Sequence, residues 1–122
     1  MEAKTILTVD DSRTMRDMLL MTLSEAGYQV AQAEDGVEGL ARLKDGCPDA
    51  IITDINMPKL DGYGFIQGVR NDAQYRATPI LVLSTESSTE KKARARDAGA
   101  TGWIVKPFQA ETLLDVIRRV SG

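Results

Sequence analysis

The chain has 122 residues, 43% of them apolar and 27% charged, which suits one globular unit with a single buried core and excludes a disordered or fibrous polymer. Its formal charge of −3 argues against a nucleic-acid surface, which needs clustered positive charge, and the absence of histidine removes imidazole from any catalytic role.

In chain order, Met1-Glu2-Ala3-Lys4 leads straight into a first strand, Thr5 to Val9, which ends in Asp10-Asp11-Ser12. Met15, Met18, Leu19, Thr22, Leu23 and Ala26 then recur at helical spacing, and Gly27 stands where a C-terminal cap belongs. Ser12 or Asp11 is the expected N-cap. Tyr28 to Ala33 alternates apolar and polar residues and reads as an edge strand. Val37, Leu40, Ala41 and Leu43 mark a second helix, entered from Asp35 and closed by Asp45-Gly46, with Pro48 as a stop. Cys47, the sole cysteine, falls in that loop. It excludes an internal disulfide, fits a reducing compartment and has no histidine to activate it.

Ala50 to Thr53 is a continuous run suited to a central strand, and it ends in Asp54. A third helix near Tyr63 to Val69 carries Phe65, Ile66 and Val69. Ile80 to Leu83 is a second central strand, followed by Ser84. From Ser88 to Ala98 a fourth helix, closed by Gly99, is poor in large apolar residues, so weak packing and a mobile, functional segment are expected. Trp103 to Val105 forms a fifth strand that runs into Lys106-Pro107, and Glu111 to Val120 a fifth helix presenting Leu113, Leu114, Ile117 and Val120 to the core. Arg94, Arg96, Arg118 and Arg119 sit near acids and read as solvated faces. The apolar runs are too short to span a bilayer, so a cytoplasmic location without export or membrane insertion is expected.

Strands alternating with helices imply a parallel sheet covered on both faces. Right-handed crossovers leave few topologies; the order 2-1-3-4-5, with the first strand in the middle and a switch point between strands one and three, is taken over from flavodoxin and a chemotaxis regulator. Asp10, Asp11, Asp54, Ser84 and Lys106 then converge at the carboxyl ends of the strands. Packed carboxylates repel one another, and a hard divalent cation is their natural partner. Magnesium could be held by Asp11 and Asp54, with Asp10 nearby and a carbonyl from Asn56. Asp54 could then attack a phosphoryl group and become an aspartyl phosphate, with Lys106 and the Ser84 hydroxyl meeting phosphoryl oxygens. Pro107 fixes the backbone after Lys106, and a cis bond there would hold the lysine in one direction. Without histidine, a phosphohistidine donor must lie on another protein.

With these residues placed, the chain resembles, over essentially its full length (1–122), the receiver domain of two-component response regulators, and within that family the stand-alone chemotaxis, CheY-like type. The resemblance implies a flavodoxin-like α/β fold with five helices. It also implies phosphorylation of Asp54 by a histidine kinase in trans, and magnesium bound by Asp10, Asp11, Asp54 and the Asn56 carbonyl. Signalling would run through Ser84 and Trp103 to a face formed by helix four, strand five and helix five. Asn56 and Glu86, each two residues past a key group, match the chemotaxis type and bear on how fast the phosphoryl group is hydrolysed. A flagellar motor switch is the kind of target implied, the protein acting as a monomer, with self-phosphorylation and autodephosphorylation as its only activity.

Two positions depart from the commonest pattern: Ser84 stands where threonine is more usual, and Trp103 where tyrosine or phenylalanine is more usual. Serine keeps the hydroxyl. Indole is bulkier, which bears on whether Trp103 can swing inward on activation, and a lone tryptophan at a strand start can equally be a core residue. A phosphate sink and a relay shuttle remain alternatives to motor signalling. A haloacid-dehalogenase-type phosphatase would need a second acid two residues after its nucleophile, where Asn56 stands. A flavodoxin-like cofactor carrier would need a glycine-rich phosphate loop.

Overall fold

The computed structural model describes residues 3–121; the reading of Met1 and Glu2 as a run-in to the first strand lies partly outside them. Five strands, β1 (Thr5–Val9), β2 (Gln29–Ala33), β3 (Ala50–Thr53), β4 (Ile80–Ser84) and β5 (Gly102–Val105), form one parallel sheet in the order 2-1-3-4-5. Five α-helices alternate with them: α1 (Arg13–Glu25), α2 (Gly36–Leu43), α3 (Gly62–Arg70), α4 (Thr89–Ala98) and α5 (Ala110–Ser121). A short 3-10 turn at Ala73–Tyr75, unmarked by any periodicity, was not expected from the sequence.

β3 and β4 are buried along their whole length, which is why both read as unbroken apolar runs. Their side chains alternate between two cores. On one face Leu7, Val9, Ile51, Ile80 and Val82 meet Phe65, Ile66 and Val69 of α3; on the other Ile6, Ile52, Leu81 and Leu83 meet Leu19 and Leu23 of α1 and Leu113 and Ile117 of α5. Each fully buried Leu, Ile or Phe contributes about 1.5–3 kcal/mol. The sheet therefore forms a stiff platform.

Side-chain oxygens begin four of the helices. Ser12 accepts from the Met15 N–H, Asp35 from Glu38, Asp61 from Gly64 and Ser88 from Lys91. Of the two cap candidates for α1, Ser12 takes the role. Gly27 follows α1 with φ +95°, a backbone region that favours glycine.

Two expectations need correction. Met18, assigned to the core stripe of α1, is 44% exposed, because its position falls off the arc marked by Leu19 and Leu23; Ala26 is likewise exposed. Val37 is 53% exposed and Ala41 is also exposed, because both lie off the buried arc of α2 marked by Gly36, Gly39 and Leu43. On α5 the expectation holds: Leu113 and Ile117 are fully buried, and Leu114 and Val120, half-buried, pack against the same core. No helix among the described residues is long and apolar enough to cross a membrane.

Candidate functional site

Register alone brings the acids together. Val9 of β1 pairs with Thr53 of β3, so the residues that follow, Asp10 and Asp54, emerge side by side at the carboxyl edge of the sheet. The backbone hydrogen bonds continue past the strands: Asp54 N–H donates to Val9 O at 2.9 Å and Asp10 N–H to Ala33 O at 3.1 Å. On the other side of β3, Ser84 of β4 pairs with Val105 of β5, and the next residue, Lys106, donates its N–H to Ser84 O at 2.8 Å. Gly62 closes the pocket floor; a Cβ there would collide with the Asp54 carbonyl and with Ile55.

The Lys106 ammonium lies between two carboxylates, 2.9 Å from Asp10 Oδ2 and 3.0 Å from Asp54 Oδ2. Each acid spends its other oxygen on a backbone donor. Ser12 N–H donates to Asp10 Oδ1 at 2.9 Å, and Ile55 N–H to Asp54 Oδ1 at 2.7 Å. The Lys106-Pro107 bond is cis.

Asp10 and Asp54 are buried, while Asp11 stands exposed at the rim. One oxygen from each of the three lies within 4.8 Å of the others. Three carboxylates against one ammonium leave two negative charges, and hard oxygen donors at this spacing fit a divalent ion such as magnesium. Burial pushes the Asp10 carboxyl above its ordinary value; the Ser12 N–H and Lys106 offset only part of that, and Asp54 adds to it. For Lys106 burial works against the charge, but the bonds and charges of Asp10 and Asp54 outweigh it and hold its pKa above normal.

Ser84 is fully buried at the end of β4, its Oγ accepting the Glu86 N–H at 3.2 Å. The Glu86 carbonyl accepts from Trp103 Nε1 at 2.9 Å, and its side chain pairs with Lys91 of α4 at 2.9 Å. Glu86 thus joins the buried hydroxyl to Trp103 of β5 and to α4. Trp103 is half-buried and packs on the α3-side core, so its indole serves both as core filler and as a polar tether. Asn56 is exposed, and Pro107 follows Lys106 at the surface.

Sequence reasoning missed several participants. Arg16 Nη1 donates to the Asp10 carbonyl at 2.7 Å. Arg94 of α4 stacks over the Tyr63 ring, 3.9 Å from its centroid, so it is more than a solvated charge. Lys59, at φ +68°, reaches toward the buried Asp35 at 3.8 Å. An arginine one turn into a helix that opens on two acids was the only available signal for Arg16.

The sequence matches the response regulator receiver domain family over residues 6–118. Protein PilG of Pseudomonas aeruginosa is 35% identical over 113 residues, covering 93% of this chain and 84% of PilG. The sensor histidine kinase CheAY of Helicobacter pylori is 36% identical across 93% of this chain, which spans only 14% of that protein. Among solved structures, the Vibrio cholerae chemotaxis protein CheY4 has a TM-score of 0.94 and 49% identity over 98% of this chain and 99% of its own. The receiver domain of the Pseudomonas aeruginosa sensor kinase PA1611, with a magnesium ion coordinated in its active site cleft, has a TM-score of 0.92 and 26% identity over 99% of each chain. The fold class, the strand order and the acidic pocket agree with what the sequence implied, and the chain belongs to the response regulator receiver domain family.

Proposed function

We propose that the protein is a phosphoacceptor in a two-component relay, taking a phosphoryl group from a histidine kinase onto Asp54 with magnesium held by Asp10, Asp11, Asp54 and the Asn56 carbonyl. The observation that carries this reading is the Lys106 ammonium lying between Asp10 and Asp54 inside a three-carboxylate pocket. Bound magnesium would neutralise the acids and the phosphoryl oxygens so that anion can approach anion. An Asp54 oxygen attacks phosphorus, the O–P bond forms as the P–N bond to the donor imidazole breaks, and the imidazole leaves with that electron pair. Lys106 supplies positive charge to the transferred oxygens. Ser84 reorients from the Glu86 N–H to a phosphoryl oxygen, and that motion passes through Glu86 to Trp103 and α4.

The output surface in this reading is α4, β5 and α5, and the output is chemotactic. The 49% identity to CheY4 supports that assignment over a phosphate sink or a relay shuttle. The donor histidine in this reading lies outside these 122 residues, which contain none. Beyond its own labelling and slow release of phosphate, no turnover is proposed.

Incubation with a phosphorylated histidine-kinase domain and magnesium, followed by intact mass and peptide mapping, tests the reading. One added phosphoryl group on the peptide holding Asp54, absent in Asp54→Asn and in EDTA, is the expected result. An adduct elsewhere overturns it. Trp103 fluorescence should change on phosphorylation, and an unchanged spectrum in the labelled protein would remove its switching role.

A further inference from the structure

Arg16 sits in the first turn of α1, half-buried, and its Nη1 donates to the Asp10 carbonyl oxygen at 2.7 Å. That carbonyl belongs to the peptide group joining Asp10 to Asp11, so one guanidinium anchors the backbone unit shared by two of the three clustered carboxylates. The anchor is itself held, because Gln32 Nε2 of β2 donates to the Arg16 carbonyl at 3.1 Å and the Arg16 N–H reaches back to Ser12 O at 3.0 Å.

Every other hydrogen-bonding atom of Asp10 is also committed: its N–H to Ala33 O, Oδ1 to the Ser12 N–H and Oδ2 to Lys106. Asp11 differs. It is exposed at the rim, and among the described residues no group hydrogen-bonds its carboxylate, so its position depends on the backbone that carries it. We infer that Arg16 is a positioning residue for the cation: by fixing the Asp10–Asp11 peptide it aims the Asp11 carboxylate at the pocket before metal arrives. The inference rests on the metal reading given under the proposed function.

A positioning role and a purely electrostatic one predict opposite signs. A guanidinium beside an acidic pocket repels a divalent cation, so if charge alone mattered its removal would tighten binding. If orientation dominates, removal weakens binding, since groups that orient metal ligands typically alter affinity by about 10–100-fold. Through-backbone anchoring of one exposed ligand belongs at the lower end of that range.

Calorimetric titration with magnesium chloride, without any phosphodonor, decides between them. Arg16→Met is expected to bind about tenfold more weakly than wild type despite losing a positive charge. Arg16→Lys, which keeps the charge but loses the planar fork, is also expected to bind more weakly, and the Ser12 amide resonance should shift in both without metal. Equal or tighter binding by the two variants overturns the positioning role. Should Arg16→Met fail to fold, the Lys variant carries the comparison. Asp11→Asn separates the two layers: a wild type that takes up no magnesium, or matches Asp11→Asn, fails the metal reading, whereas normal wild-type binding with indifferent Arg16 variants fails this inference alone.

Discussion

Two helices flank β5, and opposite kinds of force hold them. α5 turns Leu113 and Ile117 fully into the core and bonds to the sheet by apolar burial. α4 buries only Ala95; it is fixed by the Arg94 stack on Tyr63, the Lys91–Glu86 ion pair and the Ser88 cap. Apolar burial is strong and indifferent to small charge movements, whereas polar tethers are weak and respond to them. The weakly held helix is the one wired through Glu86 to the buried Ser84 hydroxyl. Under the proposed function, that placement would let a change of charge in the pocket move α4 while α5 stays as a reference surface.

The largest effect should come from breaking the strong side. Leu113→Ala removes a fully buried side chain and is expected to cost about 2–5 kcal/mol in urea unfolding. A loss below the range of a surface substitution would mean that α5 is not what closes that core.

The acid pocket extends the polar side of the contrast, and there the expected sign reverses. Asp10 carries a folded-state pKa raised from 3.8, chiefly by burial, so the fold disfavours its ionised form. Its contribution to stability is best below the unfolded value and is lost as pH rises through the raised folded one. Asp10→Asn should therefore stabilise the metal-free protein near neutral pH, by a margin that shrinks toward zero as pH falls to 3.8 and below, while weakening magnesium uptake. Thermal melts in EDTA across that span check it; a variant less stable than wild type at neutral pH would mean the Lys106 clamp outweighs the burial cost.

The asymmetry was partly legible before any coordinates. Alternating strand and helix patterns and the unbroken runs of β3 and β4 announced the sheet, and strand-end charges announced the site, because parallel strands bring their carboxyl ends together whatever the loops do. The poverty of α4 in large apolar residues was equally visible. What was hidden depends on direction rather than composition. Periodicity could not say that Met18 faces solvent, that Arg94 folds back over Tyr63, or that the Trp103 indole N–H finds the Glu86 carbonyl. Arg16 was hidden for the same reason: its partner is a backbone oxygen, which carries no sequence signature.

Smaller changes probe the weak side directly. Arg94→Ala should cost about 0.5–1 kcal/mol, the worth of an exposed cation–π pair. The loss should show as faster amide exchange confined to α4, with α5 protection unchanged, because only the former leans on that stack. Tyr63→Phe supplies the control. Its hydroxyl is buried with no hydrogen-bond partner among the described residues, so removing it keeps the ring under Arg94 and should leave stability unchanged or slightly raised.

The smallest expected effect is also the most diagnostic. Lys91 and Glu86 are both partly exposed, so Lys91→Ala should cost at most about 1 kcal/mol, and added salt should shrink the difference from wild type because exposed pairs are screened. Its consequence for Trp103 should be larger than its cost in stability, since the Glu86 side chain anchored by Lys91 stands on the same residue whose carbonyl receives the indole N–H. Freed of that pair, the segment from Ser84 to Glu86 has one fewer restraint, and the Trp103 emission should move toward that of the phosphorylated protein even in the absence of a donor. A spectrum identical to wild type at low salt would show that the α4 tether and the tryptophan tether act independently, leaving the Ser84–Glu86 hydrogen bond and the backbone from Lys106 into β5 as routes from pocket to output face.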